Sequence, residues 1–144
     1  MKRFSDRGFS LIETIIVIAV LVIGLAIAVP SFTEMGRRNA VKAEAREMKN
    51  ILARARMDAV RRNESLTADI DTGANRCTVS VTGGAAISST DFNGVQLATS
   101  PNPLSIVWDS RGMTTNFCTI SVVGQDETYN VIVSSAGNIR IAKP

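Results

Sequence analysis

The chain begins with a stretch in which almost every side chain is apolar. Between residues 9 and 32 the polar side chains are Ser10, Glu13, Thr14 and Ser31, and residues 15–29 contain none. A helix that crosses a bilayer needs roughly 20 predominantly apolar residues, so the pattern predicts a transmembrane helix over 9–32. Pro30 has no backbone N–H to donate, and it predicts a kink where this span ends.

Residues 33–63 follow a helical period instead. Apolar residues recur at spacings of four, three, four, three and four, which places them in one stripe along an amphipathic helix. The remaining face is rich in lysine and arginine, and Asn63 is a suitable helix stop. The residues of the predicted stripe are Val41, Ala45, Met48, Leu52, Ala55 and Ala59.

From residue 64 to residue 144 the apolar period changes to two, which indicates β-strands separated by glycine- and proline-rich turns. Residues 83–103, between two of the predicted strands, are predicted to be a variable loop. The fold class is therefore α+β, with one long N-terminal helix packed on antiparallel sheets formed by residues 64–144, here called the head. The predicted strands are Leu66–Ile70, Cys77–Thr82, Leu104–Trp108, Cys118–Val123, Tyr129–Ser134 and Ile139–Ala142.

Charge is segregated along the 144 residues, which suffice for one compact domain and one additional element. The net charge is +2 over residues 1–8, +5 over residues 31–62 and −3 over residues 63–144. Basic residues ahead of an apolar span favour retention of the N-terminus in the cytoplasm. The head is then expected on the other side of the membrane.

The amino-acid composition argues against an enzymatic function. The chain contains no histidine, which removes the commonest general base and metal ligand. We expect no catalytic residues, no cofactor and no metal site. The acidic pair Asp126 and Glu127 falls in a predicted hairpin turn and is expected to be solvated.

The two cysteines, Cys77 and Cys118, lie 41 positions apart in two predicted strands. In an oxidising compartment they are expected to form a disulfide, whereas in a reducing compartment they would be two small buried residues. If the bridge forms, closing a loop of about 40 residues stabilises the fold by roughly 3–4 kcal/mol in the chain-entropy model.

Glu13 is the unusual residue of the apolar span. An ionised carboxylate costs about 2.5–3.5 kcal/mol at the centre of a membrane, and less near its edge. One explanation is a capping box, in which Ser10 caps the helix and Glu13 reaches back to it from three residues further on. Another is that the carboxylate has a partner that the sequence of one chain does not contain.

Residues 7–13, Arg-Gly-Phe-Ser-Leu-Ile-Glu, followed by an apolar span, resemble the N-terminus of type IV prepilins and type II secretion pseudopilins. The resemblance implies a leader over residues 1–8, which a prepilin peptidase removes by cutting between Gly8 and Phe9. Phe9 then becomes the N-methylated first residue. Glu13 becomes the carboxylate that pairs with the terminal amine of a neighbouring subunit, and Pro30 matches the proline typical of the family's helix.

The helix end and the head also resemble the GspH/FimT group of minor pilins and pseudopilins. The similar segments are residues 52–59 with Arg62, residues 106–112 and residues 131–140. The resemblance implies the pilin fold and a structural subunit that helps to initiate or cap a type IV pilus or a type II secretion pseudopilus. Its partners would be the peptidase, other pilins or pseudopilins and the inner-membrane assembly platform. Its location would be the bacterial inner membrane, with a periplasmic head, and later the filament.

Two other functions remain open at this point. Some minor pilins of this group bind DNA through an arginine motif after the last glycine, and Arg140 and Lys143 are the corresponding candidates here. The first arginine of that motif is missing, and a head of net charge −3 has few cations with which to neutralise phosphates. Solvated edge-strand charges are the alternative explanation for both residues. The other open function is that of a membrane-anchored head without a role in a filament.

Overall fold

The computed structural model describes residues 10–101, 104–114 and 116–144, and at Pro30 only the backbone. A single helix, α1, runs from Leu11 to Arg62 and is followed by eight strands. The chain divides into two compact units, the first ending at Gly36 and the second comprising Arg37–Pro144.

In the first unit, α1 exposes its apolar side chains. Every described residue from Ser10 to Gly36 is exposed except Ala28, which is half-buried. By length and composition, this part of α1 is suited to crossing a membrane. The backbone is helical through position 30, so the proline does not end the helix, and the kink expected there remains a prediction.

In the second unit, α1 buries the predicted stripe. All six residues of the stripe are at most 6% exposed, and Ile51 joins them in the core. The helix ends as the sequence predicts. Asn63 adopts a left-handed backbone conformation with φ of 55°, and the N–H of Glu64 donates to the carbonyl of Ala59 at 3.2 Å. This is a common way for a helix to terminate, because it satisfies carbonyls left free in the last turn.

The strands form two antiparallel four-stranded sheets. The first sheet has the order β3-β2-β1-β5 and the second has the order β4-β6-β7-β8. Buried positions alternate along β1 and β6, and those inner faces join the stripe of α1 in one hydrophobic core. The bounds are β1 Leu66–Asp71, β2 Arg76–Val81, β3 Ala86–Asp91, β4 Gln96–Ser100, β5 Leu104–Trp108, β6 Cys118–Val123, β7 Thr128–Val133 and β8 Ile139–Ala142.

All six predicted strands are confirmed: β5, β6 and β8 match their predicted bounds, and β1, β2 and β7 differ by one residue at one or both ends. The loop predicted over 83–103 is wrong, because this segment contains β3 and β4. β3 has exposed residues on both faces and lies at the edge of its sheet, where pairing with β2 holds it. Such a strand carries no alternation of apolar and polar residues that a sequence pattern could reveal.

Candidate assembly site

The described start of α1 shows how Glu13 is presented. Ser10 precedes the helix, and its carbonyl accepts hydrogen bonds from the N–H groups of Glu13 at 3.0 Å and Thr14 at 3.2 Å. Ser10 therefore occupies the N-cap position. Glu13 is exposed and lies one turn into the apolar part of the helix. This arrangement leaves a carboxylate at the surface of an otherwise apolar rod.

The predicted cleavage site, Gly8 and Phe9, lies outside the described residues. The leader over 1–8 and the methylation of Phe9 therefore remain expectations from the sequence. The first described residue, Ser10, follows directly after them and begins the cap of α1.

The two cysteines are core residues of different sheets. Cys77 lies on β2 of the first sheet and Cys118 on β6 of the second, with exposures of 1% and 0%. The structure has both as free thiols, and the disulfide remains a prediction for an oxidising compartment. Burial raises the pKa of Cys77 to about 12, with a further contribution from the charge of Asp69, and burial raises the pKa of Cys118 to about 11. Both thiols occupy the core as small apolar side chains.

We expect both thiols to react slowly in the folded protein. A thiol reacts as its thiolate, and the two raised pKa values leave little thiolate at pH 8. Ellman's reagent should therefore modify native protein roughly a hundredfold more slowly than an exposed cysteine, with Cys118 reacting before Cys77. In denaturant, both thiols should react with the reagent immediately. No titratable thiol in denaturant, with two appearing after reduction, would instead establish the bridge.

The two residues considered for DNA binding, Arg140 and Lys143, have different surroundings in the structure. Arg140 is an exposed residue of β8, which is the last strand of the second sheet. The ammonium of Lys143 donates to Oε1 of Glu127 at 3.0 Å. Lys143 is thus held by a carboxylate, and its charge is largely compensated where a phosphate would have to bind.

Glu127 is the centre of a polar cluster that the sequence analysis described only as a solvated turn. That expectation is wrong for Glu127, whose side chain is 11% exposed, whereas Asp126 is exposed. Oε2 of Glu127 accepts a hydrogen bond from the Tyr129 hydroxyl at 2.9 Å, and Nε of Arg38 lies 4.0 Å from Oε1. Nε of Arg37 also lies 3.9 Å from Asp126. The turn between β6 and β7 is therefore fixed to the basic face of α1.

The partners of Glu127 stabilise its charged form. Hydrogen bonds from Lys143 and then Tyr129 lower the pKa of Glu127, and the charges of Lys143 and Arg38 act in the same direction. A carboxyl group whose pKa is lower in the folded protein stabilises the fold above its unfolded pKa. That stabilisation is lost as the pH falls through the lower, folded value.

Replacing Glu127 by glutamine should therefore destabilise the protein at pH 7 but not at strongly acidic pH. The difference in urea midpoint between the native chain and Glu127→Gln should shrink as the pH falls below 4.5, the ordinary value of the carboxyl pKa. Glu64→Gln, at an exposed position, is the control and should show a smaller difference. A difference for Glu127→Gln that stays constant from pH 7 to pH 2 would contradict this assignment.

Arg56 is a second residue whose role the sequence does not reveal. Its Nε donates to the carbonyl of Gly112 at 2.8 Å, and its Nη1 donates to the carbonyl of Gly137 at 2.8 Å. Both glycines end tight turns and have positive φ, 74° and 80°. One arginine of α1 therefore holds two turns of the head against the helix. The partners lie 56 and 81 positions away, too far for a local motif to indicate.

Comparisons with known proteins agree with these features. The family model described as the prokaryotic N-terminal methylation motif matches residues 3–29. None of the curated proteins matches the chain significantly in sequence. Among solved structures, the type IV minor pilin FimU of Pseudomonas aeruginosa is similar with a TM-score of 0.64 and 20% identity, over 77% of this chain and 92% of the FimU chain. The minor pseudopilin EpsH of the Vibrio cholerae type 2 secretion system is similar with a TM-score of 0.60 and 20% identity, over 72% of this chain and 97% of the EpsH chain.

One N-terminal helix packed on two antiparallel sheets is the pilin fold, as in FimU and EpsH. The N-terminal motif adds evidence from sequence that the fold alone does not supply. The chain therefore combines this motif with the pilin fold, which confirms the predicted fold class and agrees with the predicted resemblance.

Proposed function

We propose that this protein is a minor pilin or pseudopilin that helps to initiate or cap a type IV pilus or a type II secretion pseudopilus. The observation that carries the proposal is the methylation motif over residues 3–29, which contains Glu13, an exposed carboxylate on an apolar helix. The pilin fold, shared with one minor pilin and one minor pseudopilin, supports the same function.

Processing would create a partner for the Glu13 carboxylate. Cleavage between Gly8 and Phe9 produces an α-amine with a pKa near 8, which is positively charged at neutral pH. In a filament the amine of one subunit would meet the Glu13 carboxylate of its neighbour. Desolvation offsets much of this attraction, so its main effect is to select one register between subunits. A contact of this kind between unlike surfaces continues into an open helix rather than a closed ring.

The proposal implies three kinds of partner and a defined topology. A prepilin peptidase would cut the leader, other pilins or pseudopilins would surround α1, and an inner-membrane platform would extract the subunit from the bilayer. The basic residues before the span would keep the N-terminus in the cytoplasm. The head would then lie in the periplasm, and α1 would pass from the membrane into the filament core.

Two measurements test the proposal. The mass of the protein isolated from cells with the processing machinery should correspond to a chain that begins at methylated Phe9. Glu13→Leu should be inserted and processed normally, but its incorporation into filaments should fall roughly tenfold or more, because the neighbouring amine loses its partner. Glu34→Leu removes a carboxylate from an exposed position on the same helix and is the matched control.

The outcomes separate two parts of the proposal. An unprocessed chain that still begins at Met1 would show that this protein is not a pilin-type subunit. Normal processing together with normal incorporation of Glu13→Leu would show that the chain is processed as a pilin but that Glu13 does not set the register.

A further inference from the structure

An open groove lies beside the C-terminal half of α1, opposite the turn that leads into β8. Its volume is about 640 Å³. Its apolar lining includes Ala53, Met57 and Val60 of α1 and Ile139 of β8. Met57 is 69% exposed and Val60 is 49% exposed. These neighbouring side chains offer an apolar surface that another molecule can cover.

One wall of the groove is the free edge of a sheet. Among the residues that the structure describes, β8 is the last strand of the second sheet and pairs with β7 on one side only. The N–H of Ser134 donates to the carbonyl of Asn138 at 3.0 Å, and this pair continues the register that places Val133 opposite Ile139. Hydrogen-bonded and non-hydrogen-bonded pairs alternate in an antiparallel ladder. The backbone N–H and C=O groups of Ile139 and Ile141 therefore point away from β7, toward the free edge.

The side chains of β8 are divided between two faces. Ile139 and Ile141 are half-buried and pack against the hydrophobic core, whereas Arg140, between them, is exposed. Successive side chains of a strand point to opposite faces. A strand added to this edge would therefore place every second side chain over Met57 and Ile139, and the others on the same face as Arg140.

The charges around the groove select the partner. Lys49, Arg56 and Arg61 line it together with a single carboxylate, Asp58, which forms an ion pair with Arg61 at 2.9 Å. Arg140 adds a further positive charge on the strand itself. Acidic side chains opposite Arg140 are favoured, since opposite charges on neighbouring strands attract. Two copies of β8 pairing with each other would bring two Arg140 side chains together, which argues against a second copy of this chain.

We propose that β8 and the groove bind an extended segment of a different filament subunit, which adds to the second sheet as a fifth strand. The segment has alternating apolar and acidic side chains, with the apolar ones over Met57 and the acidic ones beside Arg140. The backbone groups of Ile139 and Ile141 provide the hydrogen bonds of this strand addition, and the side chains provide its selectivity. The inference rests on the proposed function, because it names how this subunit contacts the next one.

The test uses the full-length processed chain in nonionic detergent micelles. The probe is the synthetic peptide acetyl-Thr-Glu-Val-Glu-Ile-Glu-Val-Thr-amide, and its counterpart carries lysine in place of glutamate. At saturation the glutamate peptide should slow hydrogen exchange at the amides of Ile139 and Ile141 roughly tenfold or more, because these N–H groups become hydrogen-bonded. The lysine peptide should bind roughly tenfold more weakly.

Charge reversal at the edge provides the decisive variant. Arg140→Glu should reverse the preference, so that the lysine peptide binds more tightly than the glutamate peptide. Lys42→Glu makes the same change of sign at an exposed position of α1 that does not line the groove, and it should leave the preference unchanged. Unchanged exchange at Ile139 and Ile141 with saturating peptide, or equal binding of the glutamate peptide to Arg140→Glu and the native chain, would overturn the proposal.

The mass of the same preparation separates this inference from the proposed function. If the chain begins at methylated Phe9 but the peptide has no effect, the strand addition is wrong and the assignment as a pilin-type subunit stands. If the chain is unprocessed, the proposed function fails whatever the peptide does.

Discussion

Gly137→Ala should destabilise the protein by about 3 kcal/mol, one of the two largest effects that we expect from a single substitution. Gly137 has a φ of 80°, a conformation that costs an L-residue about 1–2 kcal/mol. A Cβ at this position would also lie closer than 3.0 Å to the carbonyl oxygen of Gly112 and to the guanidinium of Arg56. The turn would have to move, and the hydrogen bonds between Arg56 and the two turns would be strained or lost.

Gly83→Ala is the matched control. Gly83 has nearly the same φ, 75°, but a Cβ there would meet nothing within 4 Å. This variant should lose only about 1 kcal/mol, the backbone contribution. Urea unfolding of the full-length chain in micelles can be followed by the fluorescence of Trp108, the single tryptophan, which is fully buried. Equal losses of stability for Gly83→Ala and Gly137→Ala would show that the close contacts of a Cβ at position 137 do not add to the destabilisation.

Arg56→Met should destabilise the protein by about 2–3 kcal/mol. Methionine keeps most of the aliphatic volume but removes both donors, so the carbonyls of Gly112 and Gly137 lose the guanidinium at 2.8 Å. A carbonyl left without a partner in a half-buried position is costly. Arg54→Met, at an exposed neighbouring position of α1, is the control for loss of an arginine and should cost less than about 0.5 kcal/mol.

The losses of stability caused by Gly137→Ala and Arg56→Met should not be additive. Gly137→Ala disturbs the same guanidinium that Arg56→Met removes, so the double variant should lose less than the sum of the two single losses. Contacting residues typically show coupling of about 0.5–3 kcal/mol. Additive losses in a double-mutant cycle of urea midpoints would show that Arg56 and Gly137 act independently, contrary to the hydrogen bonding in the structure.

Local pattern was sufficient to predict much of this fold. The stripe from Val41 to Ala59 has the period of a helix because one face of α1 covers the core, and all of its six residues are buried. β5, β6 and β8 match their predicted bounds because their apolar positions alternate between a buried and a more exposed face. The apolar span and the motif around Glu13 are likewise continuous in sequence, so a single chain reveals them.

The errors fall where residues depend on distant partners. β3 is exposed on nearly all of its side chains and is a strand because β2 supplies its hydrogen bonds. Glu127 reads as a solvated turn residue, but Lys143 and Tyr129 bind its carboxylate in the structure.

By itself, the sequence determined which segments are helix and which are alternating strands, where the membrane-length span lies, and that Glu13 is an unusual carboxylate within it. These properties depend on neighbouring positions along one chain, so their period and spacing are visible in the residues. Only the tertiary structure decided that Arg56 holds two glycine turns, that Glu127 fixes a turn to α1, and that β8 has a free edge beside a groove. Those features arise from contacts between residues far apart in sequence, which no local pattern encodes.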